Sequence, residues 1–149
     1  MTLEEKINQA IKEAMMAKQK ERLEALRSVK SGIILLKTDK GPSHEVTADE
    51  ELKMLQKQVK QRKESADIYI QQSRPELAEK ELAEAKVIEE FLPAQMSSEE
   101  VEKAVREIIA RVGASSAKDM GKVMGAASKE LAGKAEGKMI SELVKKLLA

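Results

Sequence analysis

The chain has 149 residues, of which 42% are apolar and 36% charged, and its only aromatic residues are one Tyr and one Phe. It has no Cys and one His, which excludes disulfides, Cys-ligated zinc and a multi-His metal centre. With 27 basic and 26 acidic residues, the net charge of +1 gives no bulk reason to bind nucleic acid. Leu, Ile, Val, Met and Ala must fill the core, a composition that favours helices.

The first residues and the hydropathy of the chain indicate where in the cell the protein is expected. No apolar run approaches the ~20 residues that a membrane-spanning helix needs. The acidic start, Met1 to Glu5, does not resemble a signal peptide. We therefore expect a cytoplasmic protein without a membrane partner.

The first part of the chain has helical periodicity. Thr2 and Glu5 have the spacing of a capping box, and the apolar stripe behind them predicts a first helix over roughly residues 2–18. A second stripe predicts a helix that ends before Gly41-Pro42, a strong helix break. The residues expected to face inward are Leu3, Ile7, Ile11, Met15, Leu23, Leu26, Val29, Ile33 and Leu36.

Two further helices follow in the same pattern. Thr47 and Glu50 repeat the capping-box spacing and open a third helix, and Pro75 suits the first turn of a fourth. Their predicted inward residues are Leu52, Leu55, Val59, Ala66, Tyr69, Ile70, Ala78, Leu82, Ala85, Ile88 and Leu92. The four helices predict two helical hairpins.

A domain boundary is predicted near Pro93, where Phe91–Met96 ends the fourth helix and Ser97 and Glu100 form another capping-box pattern. We assign residues 1–94 to an N-terminal domain and residues 95–149 to a C-terminal one. Three shorter helices are expected in the latter, over Val101–Val112, Met120–Leu131 and Ile140–Leu148. Since no segment alternates with period two, the predicted fold is all-α: N-terminal helical hairpins plus a small C-terminal three-helix domain.

The first candidate site is a basic run over residues 53–63, which holds five basic residues and no acid. One interpretation is a ridge that binds an RNA backbone. Lys53, Lys57 and Lys60 are spaced to lie on one helix face. The favoured interpretation is a helical hairpin in which this basic face lies beside Glu84, Glu89 and Glu90 of the next helix.

The second candidate site is the segment over residues 113–126. Ser115 or Ser116 is expected to cap the following helix, whose free amides would suit a phosphate beside Lys118 and Lys122. Gly121 and Gly125 disfavour a helix interior, so we expect a local need for them. They would allow either close helix packing, the favoured interpretation, or access of an RNA backbone to the helix. The segment lacks the spacing of a Walker A loop.

The third candidate site is the turn over residues 131–138. It is expected to expose Lys134 and Lys138, with Lys129 just before it. From residue 113 onward the chain carries seven lysines against four acids. The predicted RNA-binding residues are therefore Lys118, Lys122, Lys129, Lys134 and Lys138.

The sequence shows no recognisable arrangement of catalytic residues. His44 lies in a Gly-Pro-Ser loop and is expected at the surface. No acid is paired with a base at an apolar position. We therefore predict no catalytic residues, no metal site and no cofactor.

Several motifs resemble one known family. They are Lys60–Ala66, Glu89–Ser97, Gly113–Ser116 with Asp119–Gly125, and Gly133–Lys138. In this order they resemble the YqeY-like (GatB/YqeY) proteins over essentially the whole chain. The resemblance implies a two-domain, all-helical cytosolic protein. Its C-terminal part is similar to the tail of the B subunit of glutamine-dependent aspartyl/glutamyl-tRNA amidotransferase, which helps hold tRNA. An RNA-contact role is thereby implied for Lys118, Lys122, Lys134 and Lys138.

Three functions are consistent with these observations. The leading hypothesis is a non-catalytic tRNA-binding or tRNA-enzyme accessory protein, whose partners are tRNA and an aminoacyl-tRNA or amidotransferase enzyme, with no DNA expected. The resemblance also implies carbon–nitrogen ligase activity with glutamine as amido donor. That activity would need a partner, because the large catalytic domain of the B subunit is missing. The third hypothesis is a protein–protein adaptor that uses the N-terminal hairpins.

Overall fold

The computed structural model describes all of residues 1–149 and contains helices and no strands, so the chain is all-α as predicted. The helices are α1 Leu3–Met16, α2 Lys20–Asp39, α3 Ala48–Gln71, α4 Pro75–Glu89, α5 Ser98–Val112, α6 Met120–Glu130 and α7 Gly137–Leu148, with a short 3-10 turn at Ala117–Asp119. The chain forms two compact units, unit 1 (Met1–Leu92) and unit 2 (Pro93–Ala149). None of the helices combines the length and the apolar character that crossing a bilayer requires.

The helix starts follow the capping signals of the sequence closely. Thr2 and Glu5 form the predicted capping box at α1, and Ser97 and Glu100 form the one at α5. In each box the hydroxyl of the first residue accepts the backbone N–H of the glutamate, and the glutamate carboxylate accepts the backbone N–H of the first residue. Two helices thus begin where local hydrogen bonding predicts.

The capping box predicted at α3 forms only in part, because the Glu50 side chain pairs with residues of the preceding loop. Thr47 Oγ1 accepts the backbone N–H of Glu50 at 3.1 Å. The Glu50 carboxylate instead contacts His44 Nε2 at 2.9 Å and Lys40 Nζ at 3.5 Å. His44, predicted at the surface, is only partly exposed, because this pairing holds its side chain half-buried.

Unit 1 packs α1 against α2, α3 against α4, and α2 against α4. Its core contains Ile7, Ala10, Ala14, Leu26, Val29, Ile33, Leu55, Val59, Ala85 and Ile88. Three residues predicted to face inward, Met15, Ile70 and Leu82, are instead 55%, 58% and 41% exposed. Ala14 shows the reason in α1: it takes the core position, and its neighbour Met15 is turned about 100° away around the helix.

The basic run of α3 forms ion pairs with two of the three predicted acids of α4, through Arg62 and Lys63 and not through the predicted face of Lys53, Lys57 and Lys60. Arg62 pairs with Glu84, and Lys63 Nζ lies 3.0 Å from Glu89 Oε1. Glu90 does not join this set, because Arg22 of α2 holds it at 2.5 Å. The prediction for Glu90 is therefore wrong. The acids at α4 form ion pairs with α3 on one side and with α2 on the other.

Unit 2 packs α5, α6 and α7 against one another. Its buried core consists of Val101, Val105, Ile108, Val123, Ala127, Leu131, Ala135, Ile140, Val144 and Leu148. Gly113 ends α5 in the left-handed conformation, with φ of 71°. The segment before α5 is fixed to the α6–α7 connection, since Gln95 Nε2 donates to the Gly133 carbonyl at 2.7 Å and the Met96 N–H donates to the Lys134 carbonyl at 2.9 Å.

Candidate nucleic-acid interface

The start of α6 differs from the prediction. Neither Ser115 nor Ser116 caps α6 through its side chain; the 3-10 turn intervenes and Asp119 is the residue before the helix. The Asp119 carboxylate accepts the backbone N–H of Ser115 at 3.0 Å, so the acid, with its stronger acceptor oxygens, organises the turn. This carboxylate places negative charge at the helix start, and the basic side chains rather than the helix amides are the groups suited to a phosphate.

Gly121 and Gly125 do not serve close helix packing. A Cβ added at either residue would meet no atom within 4 Å, and both glycines are exposed. The favoured interpretation of these glycines is therefore wrong, because α6 enters the core through Val123 and Ala127 instead. Without side chains at these two positions, the backbone of α6 is accessible from solvent.

Two of the predicted lysines lie on one side of α6, and a third lies in the turn before it. Lys122 and Lys129 are seven residues apart, which places them on one helix face about 10 Å apart along the axis. Gly125 lies between them on the same face. Lys118 lies in the 3-10 turn, four residues before Lys122, and all three lysines are exposed. The helix geometry therefore forms a short basic ridge beside the accessible backbone of Gly125.

Lys134 and Lys138 lie at the connection between α6 and α7. The backbone of Lys134 is held on both sides, since its N–H donates to the Leu131 carbonyl at 2.9 Å and its carbonyl accepts from Met96. Its side chain is exposed. Lys138 is exposed in the first turn of α7. These two lysines belong to a different element from the ridge on α6.

None of the five predicted lysines forms an ion pair. The ion pairs of unit 2 are Arg106 with Glu102 and Arg111 with Glu130. The second pair matters for Lys129, because Glu130, the next residue in the chain, is paired with Arg111 and not with Lys129. The ammonium groups of this surface are therefore available to an external anion.

Two further lysines share these properties and were not assigned to the site from the sequence. Lys145 and Lys146 lie in the last turn of α7, are exposed and have no ion pair. Basic residues at a helix C-terminus are common because they interact favourably with the helix dipole, so their position gave no functional signal. Elsewhere, no group of three or more His, Asp or Glu side chains is placed to hold a metal ion.

Comparison with known proteins identifies the family. A search of curated proteins gives no significant match. The family model described as Yqey-like protein matches residues 4–148, nearly the entire chain. The chain therefore belongs to the YqeY-like family.

Proposed function

We propose that unit 2 binds tRNA through the phosphate backbone and that the protein is a non-catalytic accessory to an enzyme acting on tRNA. The observation that carries the proposal is the state of five lysines that are exposed and free of ion pairs: Lys118, Lys122, Lys129, Lys134 and Lys138. A phosphate contact made by such a lysine releases counterions without first breaking an ion pair within the protein.

The composition of unit 2 indicates how RNA would be recognised. Residues 93–149 contain no aromatic side chain, so stacking of unpaired bases has no platform there. Lysines contact phosphates as flexible point charges and carry little sequence information. The proposed recognition is therefore of backbone charge and of RNA shape, which suits a folded RNA such as tRNA.

The exposed glycines of α6 support backbone recognition in particular. Since Gly121 and Gly125 carry no side chain and nothing covers them, a sugar–phosphate backbone can approach α6 closely. Lys122 and Lys129 flank Gly125 on the same helix face and would hold phosphates on both sides of that approach.

The proposed partner class rests on the C-terminal sequence motifs, which resemble the tail of an amidotransferase B subunit. In that enzyme the tail helps hold tRNA. An aminoacyl-tRNA or amidotransferase enzyme is the corresponding proposed partner for this chain, with the partner supplying the chemistry and unit 2 supplying part of the tRNA affinity.

The test compares tRNA binding by two triple variants of the full chain. The first variant carries Lys118→Gln, Lys122→Gln and Lys129→Gln. The control variant carries Lys6→Gln, Lys12→Gln and Lys86→Gln, which removes three exposed lysines without ion pairs from unit 1. Both variants change the net charge equally, so any difference between them reports the position of the charges. The measurement is a fluorescence titration of labelled tRNA at low salt.

We expect tRNA to bind the parent protein and the control variant with similar affinity. The first variant should bind about tenfold more weakly or worse, because three phosphate contacts are removed. Absence of tRNA binding by the parent at low salt would refute the proposal, and so would equal loss of affinity in both variants.

A further inference from the structure

A groove in unit 1 lies between α2 and α3 and is unrelated to the lysines of unit 2. It has a volume of about 490 Å³. On the α2 side it is lined by Gly32, Leu35 and Leu36, and on the α3 side by Met54, Lys57 and other residues that include Lys53, Gln58 and Gln61. The α2 wall is therefore apolar up to its end at Asp39 and Lys40, and the α3 wall is polar except for Met54 and carries Glu50, Lys53 and Lys57.

The floor of the groove is formed where the two helices touch. A Cβ at Gly32 would lie 2.7 Å from Gln58 Nε2 and 2.8 Å from Met54 Sδ, so the glycine permits this close approach. Gln58 Nε2 also donates to the Ser28 carbonyl at 3.1 Å, which holds α3 against α2 at that level. The groove is thus a built feature of the helix crossing.

Leu35 is the most exposed apolar side chain on this wall, with 64% of its surface accessible. Leu36 and Met54 beside it are only half-buried. The lining runs from Gly32 to Asp39 on α2 and from Glu50 to Gln61 on α3, which corresponds to about 10–16 Å of helix length. That length accommodates about two to three turns of another helix.

The charges on the α3 wall indicate which kind of helix would bind in the groove. Residues 53–63 contain five basic residues and no acid. Of the three on the outer face, Lys53 pairs only with exposed Asp49 one turn earlier, while Lys57 and Lys60 form no ion pair. At the other end of the groove, the charge of Glu50 is already engaged by His44 and Lys40, and Asp39 is the one unpaired carboxylate of the lining. An occupant with carboxylates beside its apolar stripe would complement this wall.

We propose that the groove between α2 and α3 is a docking site for an acidic amphipathic helix of a partner protein. Apolar residues at positions i, i+4 and i+7 of that helix would contact Leu35, Leu36 and Met54. Its flanking carboxylates would lie against Lys57 of the lining and near Lys60, which follows one turn later outside the lining. The result is a protein-binding surface on unit 1 that shares no residue with the lysines proposed to bind RNA.

The test uses displayed libraries of amphipathic helical peptides selected against the full-length protein. All libraries share a randomised Leu, Ile, Met or Phe stripe, and the flanking positions are Glu in one, Lys in the second and Gln in the third. Binders are then titrated against Leu35→Gln and Lys57→Glu. The matched control for the first is Ile34→Gln, because Ile34 is a neighbouring exposed apolar residue outside the groove lining. Lys12→Glu is the control for the second.

We expect enrichment from the Glu library alone. Leu35→Gln should weaken the selected peptides about tenfold or more, Lys57→Glu should weaken them severalfold, and both controls should bind like the parent. Enrichment of the Lys or Gln library, no enrichment at all, or binders insensitive to Leu35→Gln would overturn the proposal. So would either alternative occupant: self-association of the parent abolished by Leu35→Gln, or RNA binding that depends on Lys57 and not on Leu35.

Discussion

Glu84 is the charged side chain that unit 1 buries, with 4% of its surface exposed. It lies where α2, α3 and α4 meet: its carboxylate contacts the Arg62 guanidinium and faces Glu24, Glu81 and Lys80. Burial raises the pKa of Glu84 above its usual value, because it disfavours the charged form, and this outweighs the attraction of Arg62. The pKa of Glu24 is lowered by its bond to Lys80.

The raised pKa of Glu84 predicts how its removal changes stability with pH. The native carboxyl keeps its proton at pH values where the unfolded chain, with a pKa near 4.5, has lost it. The contribution of Glu84 to stability is therefore fully present below the pKa of the unfolded chain. It is lost as the pH rises through the higher pKa of the native carboxyl. A glutamine in its place does not titrate. We expect the free energy of unfolding of Glu84→Gln, relative to the parent, to increase from about pH 4 to about pH 7.

Urea denaturation of both proteins across this range measures the effect. Glu64→Gln, which removes an exposed carboxylate from α3, should show no such trend. A relative stability of Glu84→Gln that falls as the pH rises would mean that the Arg62 pair outweighs burial, and it would contradict the assignment.

Single residues were predictable from the sequence where their partners are close in the chain. The capping boxes of Thr2 with Glu5 and of Ser97 with Glu100 are three-residue interactions, and both form. Glu50 has the same spacing from Thr47, but a half-buried loop histidine attracts its carboxylate instead. The partners of Glu84 come from other helices, so no local pattern marks it as buried.

At the scale of elements, the existence of each helix followed from apolar periodicity, and the pairing of α3 with α4 followed from charge. The start of α6 did not, because Asp119 organises a 3-10 turn that the serines alone do not suggest. The groove between α2 and α3 was likewise missed. Gly32, Leu35 and Leu36 form a second stripe beside the core stripe, and its role depends on where the two helices cross.

The uncovered position of Gly125 on α6 predicts opposite effects on stability and binding. The methyl group of an alanine at this position would meet no neighbouring atom. Because glycine is about 1 kcal/mol less favourable than alanine within a helix, Gly125→Ala should stabilise unit 2 by about that amount. The added methyl group covers the accessible backbone between Lys122 and Lys129, so tRNA affinity should fall severalfold. Thermal denaturation and tRNA titration of the same variant measure the two effects.

Ser31→Ala on α2 is the matched control, because Ser31 is exposed within a helix of unit 1. It should gain a smaller amount of stability and bind tRNA like the parent. If Gly125→Ala binds tRNA as tightly as the parent does, α6 makes no close backbone contact with the RNA.

At the scale of the whole molecule, the two units treat their basic residues differently. In unit 1 several of them join one helix to another, as in Arg22 with Glu90, Lys37 with Glu4 and Lys80 with Glu24. In unit 2 both ion pairs use arginine, and the lysines remain unpaired. The overall net charge of +1 hides this contrast. Charge therefore supports the packing of unit 1, where lysines such as Lys57 and Lys60 also stay unpaired, whereas no lysine of unit 2 forms an ion pair.

The all-α fold was predictable from apolar periodicity, and the family from several motifs in order; the family model matches residues 4–148. The lysine surface was predictable only as a set of positions. Helix geometry places Lys122 and Lys129 on one face, but Lys134 and Lys138 belong to the α6–α7 connection and to α7. The joint contact of all five with one RNA stays a prediction, because it depends on the shape of the RNA as much as on the protein.

The salt dependence of tRNA affinity tests the central claim most directly. The quantity is the slope of the logarithm of the association constant against the logarithm of the salt concentration, for the parent and for a variant with glutamine at positions 118, 122, 129, 134 and 138. The account predicts a steep negative slope for the parent. In the variant the slope should be shallower by about 0.7 to 0.9 for each lysine that contacts a phosphate. Equal slopes for the two proteins would contradict it.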